Sequence, residues 1–213
     1  MSAARDYGLD EDYEWPRPPE GGWTADDLDR LPNLPPHTEL IDGSLVFVSP
    51  QTRFHLRTIR LLEYALLSQA PDAYDVDREF SVKLDRRNRP EPDVLVYRAD
   101  ADTGPHQTWH HSDAVVLAVE VVSEDSEERD REAKPRKYAA AGIPYFWRVE
   151  DGGNGLPVVY TYELDPATNT YVSTGIHHDR LKLTVPFPLT IDLTAINRRP
   201  PVAPPAEGTT SAG

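Results

Sequence analysis

Residues 114–122 read AVVLAVEVV, apolar on both faces of an extended chain. A strand of that pattern has to be covered on each side by helices, because neither face suits water. The run therefore calls for an α/β fold with a buried central strand. It also raises a difficulty, since Glu120 sits inside it. An ionised carboxylate in a covered strand is costly unless it is paired or coordinated. Strand period puts Glu120 on the face of Ala118 and Val122, away from Leu117 and Val119.

The flanking pattern supplies the covering layers. Residues 52–69 carry Phe54, Ile59, Leu62 and Leu66 at helical spacing. Residues 135–142 run from a proline suited to a first helical position to a glycine suited to the left-handed stop. Around these, "ELIDGSLVFVS" predicts a hairpin with Asp42-Gly43 as its two-residue turn. Thr24 is expected to cap a short helix to Leu31. Strands are expected over 74–84, 92–97 and 145–150, and further ones near 158–163 and 171–174, set off by the turns DGGNG and DPATN. The 98–113 stretch reads as a polar loop. In order the centre is helix, strand, strand, strand, helix, strand, a sandwich of helices around a mixed sheet.

A length of 213 residues suits one domain. The expected organisation is a flexible acidic arm over 1–22, a single domain over 23–197 and a disordered Pro-rich tail over 198–213. Net charge is −14, of which the first 30 residues supply −6. That balance argues against a broad grip on nucleic acid, so a phosphate-bearing substrate has to be met locally. Arg53, Arg57, Arg60, Arg86, Arg87 and Arg89 are candidates to line such a groove, or are solvated surface. There is no cysteine, which excludes disulfides, thiol nucleophiles and Cys-held zinc. The longest apolar run falls far short of a membrane span, so a cytoplasmic protein without a membrane partner is expected.

A second carboxylate, Asp93, opens the apolar stretch of "EPDVLVY". If its strand lies beside that of Glu120, the two acids converge, and three arrangements relieve their repulsion: a proton, a cation such as lysine, or a hard metal ion. The competing reading makes Glu120 half of an arginine ion pair and Asp93 simply the start of a strand. His106, His110 and His111 have weak zinc spacing and read better as loop residues, Tyr138, Tyr145 and Trp147 read as core, and GGNG lacks the helix and Lys-Ser/Thr of a phosphate loop.

The segments "PEPDVLVY", "LAVEVVS" and "RDREAKPRKYAAAGIPYFW" resemble the Uma-two family, nucleases of the restriction-endonuclease-like PD-(D/E)XK superfamily, and "HTELIDGSLVFVSP" with His55 resembles that family's N-terminal part. The resemblance spans about residues 39–150. It implies a restriction-endonuclease-like core of the order just read. Carried over from the superfamily, Asp93 and Glu120 hold Mg2+ (or Mn2+), with the carbonyl of Val121 as third ligand. The superfamily lysine two residues past the glutamate is here Val122, and the family's lysine four residues after an aspartate matches Lys134 after Asp130. Glu39 resembles an additional N-terminal acid that holds a metal-bound water, and His55 is a candidate to touch phosphate or carry a proton. The resemblance implies hydrolysis of DNA phosphodiesters and a homodimer. Two alternatives stand beside it: a nuclease-like fold acting as a binding or regulatory module with weak or lost catalysis, and a metal hydrolase of small phosphoesters.

Overall fold

The computed structural model describes residues 16–198, so most of the expected arm (1–22) and of the tail (198–213) lies outside the described residues. Residues 25–31 form tandem turns instead of the expected helix. Asp27 Oδ2 accepts from the Thr24 backbone N–H (2.8 Å) and hydroxyl (2.7 Å), and the backbone bonds Asp27 N–H to Thr24 O and Arg30 N–H to Asp27 O close successive turns in place of a helical ladder.

The predicted hairpin follows as β1 (Glu39–Ile41) and β2 (Ser44–Val46), in register Ile41 to Ser44. Asp42 and Gly43 take φ of 52° and 80°, the mirror-image turn that matches strand twist. Helix α1 (Arg53–Leu67) starts at Thr52, whose side chain accepts from His55 N–H. The expected 74–84 strand is broken at Glu79, whose φ is 49°. Its first part, β3 (Tyr74–Arg78), joins the main sheet, and its second, β4 (Ser81–Lys83), leaves it. Next come β5 (Val94–Arg98) and, within the stretch expected to be a loop, β6 (Trp109–His111), which pairs parallel with β4. The central run is β7 (Val115–Val121).

A π-helical turn, Arg129–Ala133, then leads into α2 (Lys134–Ala140). Pro135 therefore falls in the first turn of α2, as expected, but with helical turns already ahead of it. It lacks an N–H, and the turn before it widens so that Lys134 N–H bonds Arg129 O, five residues back. The chain finishes with β8 (Tyr145–Asp151), β9 (Pro157–Asp165), β10 (Thr170–His177) and a hairpin of β11 (Arg180–Leu183) and β12 (Leu189–Asp192) that residue patterns had not marked.

The main sheet has the order β10-β9-β8-β7-β5-β3, and only β7 and β8 run parallel, joined by the α2 crossover. Leu117, Val119 and Val121 of β7 pack with Val94 and Val96 against Ile59, Leu62 and Leu66 of α1, together with Leu181 and Ile191 of the last hairpin. On the opposite face Leu95, Tyr97 and Ala118 pack with Tyr138, Ile143 and Phe146. β7 is thus covered on both faces, as its composition required, and Glu120 shares the α2 face with Ala118. Among the described residues no helix is long and apolar enough to cross a membrane.

Candidate active site

Sheet register brings the two acids together. Val94 pairs with Val119 in antiparallel β5 and β7, which puts Asp93, the residue before β5, beside the end of β7, where its carboxylate meets Val121 N–H. The two acids line the same cavity, Glu120 facing α2 and Asp93 facing His55 of α1. Asp93 is held by its own carboxylate: Oδ2 accepts from Val121 N–H at 2.6 Å, and Oδ1 lies 3.2 Å from His55 Nε2. The Thr52 cap fixes His55 in the first turn of α1, so helix geometry aims the ring at Asp93.

Glu120 is 1% exposed. Its Oε2 lies 3.0 Å from Lys134 Nζ, and its Oε1 accepts from Tyr138 O–H at 2.5 Å. Lys134 Nζ also reaches Glu39 Oε1 at 2.9 Å and Asp130 Oδ1 at 3.4 Å. Glu39 is fixed in turn, accepting from Glu91 N–H at 2.7 Å. One ammonium therefore faces three buried carboxylates, and the lysine arrangement is the one present here. The arginine alternative does not hold: Arg148 stands beside Glu120 in the β7–β8 register but pairs with Glu150 at 2.8 Å and lies over the Tyr160 ring.

The imbalance of charge shows in the proton affinities. Burial pushes the Glu120 carboxyl well above the usual range, with Lys134 opposing and Asp130, Asp93 and Glu39 adding to the shift. Asp130 is raised for the same first reason, burial, and its Oδ1 is a buried atom without a hydrogen-bond partner. Burial alone would lower Lys134, but Glu120, Glu39, Asp130 and Asp93 outweigh it and hold the ammonium well above its ordinary value. Burial likewise opposes the raised pKa of His55, where Asp93 wins.

These groups form the floor of a cavity of about 940 Å³. Its lining holds seven acids, among them Glu79, Glu91 and Asp125, against Arg129 and Lys134 as full cations. None of the six arginines considered for a groove lines it. Arg87 donates to Gly21 O and Asp42 O, and Arg89 is buried on Ala25 O and Asp29, so both brace the N-terminal turns and hairpin. His110 is buried far from any such role, with Nε2 on Asp77 and Nδ1 on Gln107. Among the described residues no three His, Cys, Asp or Glu side chains converge as a ready-made metal cage.

Asp93, Glu120, Val121, Lys134, Glu39, Asp130 and His55 all line this cavity. Residue patterns missed the part Tyr138 plays: it is core, as read, and it also donates to Glu120. Its place one helical turn after Lys134 was the available signal. Glu79, Glu91 and the His37–Glu91 contact (2.5 Å) carried no signal, since loops deliver them, and Arg129 enters from the π turn.

A mixed sheet flanked by helices, with Glu120 on its central strand and Asp93 just before the neighbouring one, fits the restriction-endonuclease-like class of α/β folds. The chain belongs to the Uma2 family: the family model, described as "Putative restriction endonuclease", matches residues 25–195. Among solved structures, a crystal structure of a "putative nuclease belonging to DUF820" from Anabaena variabilis is similar with a TM-score of 0.58 and 14% identity, covering 81% of this chain and 96% of that one. At that identity the likeness is one of fold. No match was found among curated proteins. The family is one of nucleases with this core, and such nucleases generally use divalent metals.

Proposed function

We propose that the protein is a metal-dependent endonuclease that hydrolyses DNA phosphodiester bonds, with Asp93, Glu120 and Lys134 as its catalytic residues. The observation that carries this reading is Lys134 Nζ lodged 3.0 Å from Glu120 in the cavity that Asp93 also lines. It restores the acid, acid, lysine set although the lysine comes from a helix and not from two residues after the glutamate.

The donor chemistry fits a hard divalent ion. Buried carboxylates exceed the cations beside them, since Glu39, Glu120 and Asp130 share the one ammonium of Lys134. Asp93, Glu120 and the Val121 carbonyl would hold Mg2+ or Mn2+, and two acids suffice because magnesium keeps waters and substrate oxygens as its other ligands. When bound, the ion lowers the pKa of a coordinated water and neutralises non-bridging phosphate oxygens. Lys134 stays an ammonium at neutral pH, so it orients the attacking water by donation and stabilises charge building on phosphate, and it does not take the proton. Glu39 and Asp130 position Lys134, and Glu39 is also placed to hold a metal-bound water. His55, protonated more readily beside Asp93, is the candidate to hand a proton to the leaving oxygen. The reading keeps the homodimer and the cytoplasmic location.

The test is cleavage of plasmid and linear DNA with Mg2+ or Mn2+. Asp93→Ala and Glu120→Ala are expected to abolish it with the fold retained by circular dichroism; variants that cut like the parent would refute the assignment. One feature favours a second reading, a binding module with weak catalysis: both Glu120 oxygens already have protein partners. Such a module would show no rise in melting temperature with Mg2+ or Mn2+.

A further inference from the structure

We infer that the cavity takes an unpaired nucleotide, so that the substrate strand is single-stranded DNA at the point of cleavage and not a closed duplex. This rests on the nuclease reading above and names its substrate class. The wall above the acid cluster is apolar: Leu34, Phe47, Val48, Pro50 and Leu56 line the same cavity as Asp93 and Glu120. Phe47, Val48 and Leu56 are 51%, 39% and 54% exposed, so large apolar side chains face solvent where a polar substrate is expected. An exposed apolar patch rimmed by polar groups marks a binding surface. What an aromatic and aliphatic wall offers a nucleic acid is a stacking face for a base, which paired bases inside a duplex do not present.

Size and charge agree. A concavity of about 940 Å³ suits a ligand of nucleotide dimensions, at the upper end of the ~300–1,000 Å³ common for small-ligand sites. A duplex is gripped mainly through phosphates by rows of Lys and Arg. Here the cavity offers Arg129 and Lys134 alone among seven acids. Two cations suit one or two phosphates of a strand threading in, with its base against the apolar wall.

Fluorescence anisotropy of the full chain with a short labelled single strand, the same strand annealed to its complement, and an RNA of the same sequence tests this with Mg2+ absent, so no cleavage is required. The expected result is single-stranded DNA bound at least about 10-fold tighter than duplex, with Phe47→Ala weakening the single strand by about 5- to 100-fold, the cost of losing one stacked base, and Leu56→Ala weakening it by a smaller factor. Duplex binding equal to or tighter than single-strand binding overturns the inference. So do Phe47→Ala and Leu56→Ala variants that melt like the parent and bind like it, and RNA bound more tightly than DNA removes DNA as the source of the strand. Single-strand binding without cleavage on adding Mn2+ would sink the hydrolytic reading and leave standing only the cavity's preference for an unpaired nucleotide.

Discussion

A lysine 5% exposed among three buried acids is a costly arrangement unless every partner stays in place. Removing one member of such a buried pair leaves the others uncompensated, typically at about 3–5 kcal/mol. Lys134→Ala is therefore expected to lower unfolding stability by about that amount in urea titration near neutral pH. The loss should shrink in acid, where the carboxylates bind protons instead. The same cluster sets the pH dependence of the parent. Glu120, Asp130 and His55 have folded pKa values above their unfolded ones. Each contribution is complete below the unfolded pKa and is lost as pH rises through the folded value, so these groups make the protein more stable near about pH 5.5 than near about pH 8. Lys134 is charged throughout that window and is neutral to the comparison, while His177, lowered by burial, works in the opposite sense. Equilibrium unfolding at the two pH values checks the sign. Added Mg2+ is expected to flatten the slope, because the ion competes with protons for the same carboxylates.

At the scale of elements, the π turn decides where Lys134 points. Proline inside a helical segment removes one i to i−4 bond, and the widened turn accommodates the loss while stacking Asp130 and Lys134 over Glu120. In Pro135→Ala the missing N–H returns and the helix relaxes toward α spacing. Nuclease activity is expected to fall at least about 10-fold while the melting temperature holds or rises; equal activity would show that the turn does not set the lysine. Residue patterns reached β7, the β1–β2 hairpin and α1, because each carries its own period or turn signature. They did not reach β6, nor the break at Glu79 that sends β4 out of the main sheet to pair with it, because that three-residue ladder depends on a partner more than 20 positions away. Nor did they reach the π turn: the residue before a proline is generally biased toward extended backbone, yet Lys134 sits at φ −63° and ψ −47°, held by its three carboxylates. Asp93 and Glu120 were legible as polar residues in apolar runs. The ring of Glu39, Asp130 and Tyr138 around Lys134 was not, since its members come from a hairpin and a crossover that only the fold brings together.

For the molecule as a whole, a net charge of −14 and a cavity with two full cations mean that long-range attraction contributes little to holding DNA. Binding is expected to weaken only gently with salt, with log K against log[salt] falling at a slope of about −0.7 to −1.4, as for one or two phosphates on a single strand; a steep slope would reveal a basic surface elsewhere. The central claim is that Asp93 and Glu120 together make a place for a divalent ion beside Lys134. Its most direct test is a crystal soaked with Mn2+ and measured for anomalous scattering. The predicted result is a peak about 2.1 Å from a carboxylate oxygen of both Asp93 and Glu120. A well-ordered soaked crystal with no peak there, and Lys134 still bridging Glu39 and Glu120, would contradict the account.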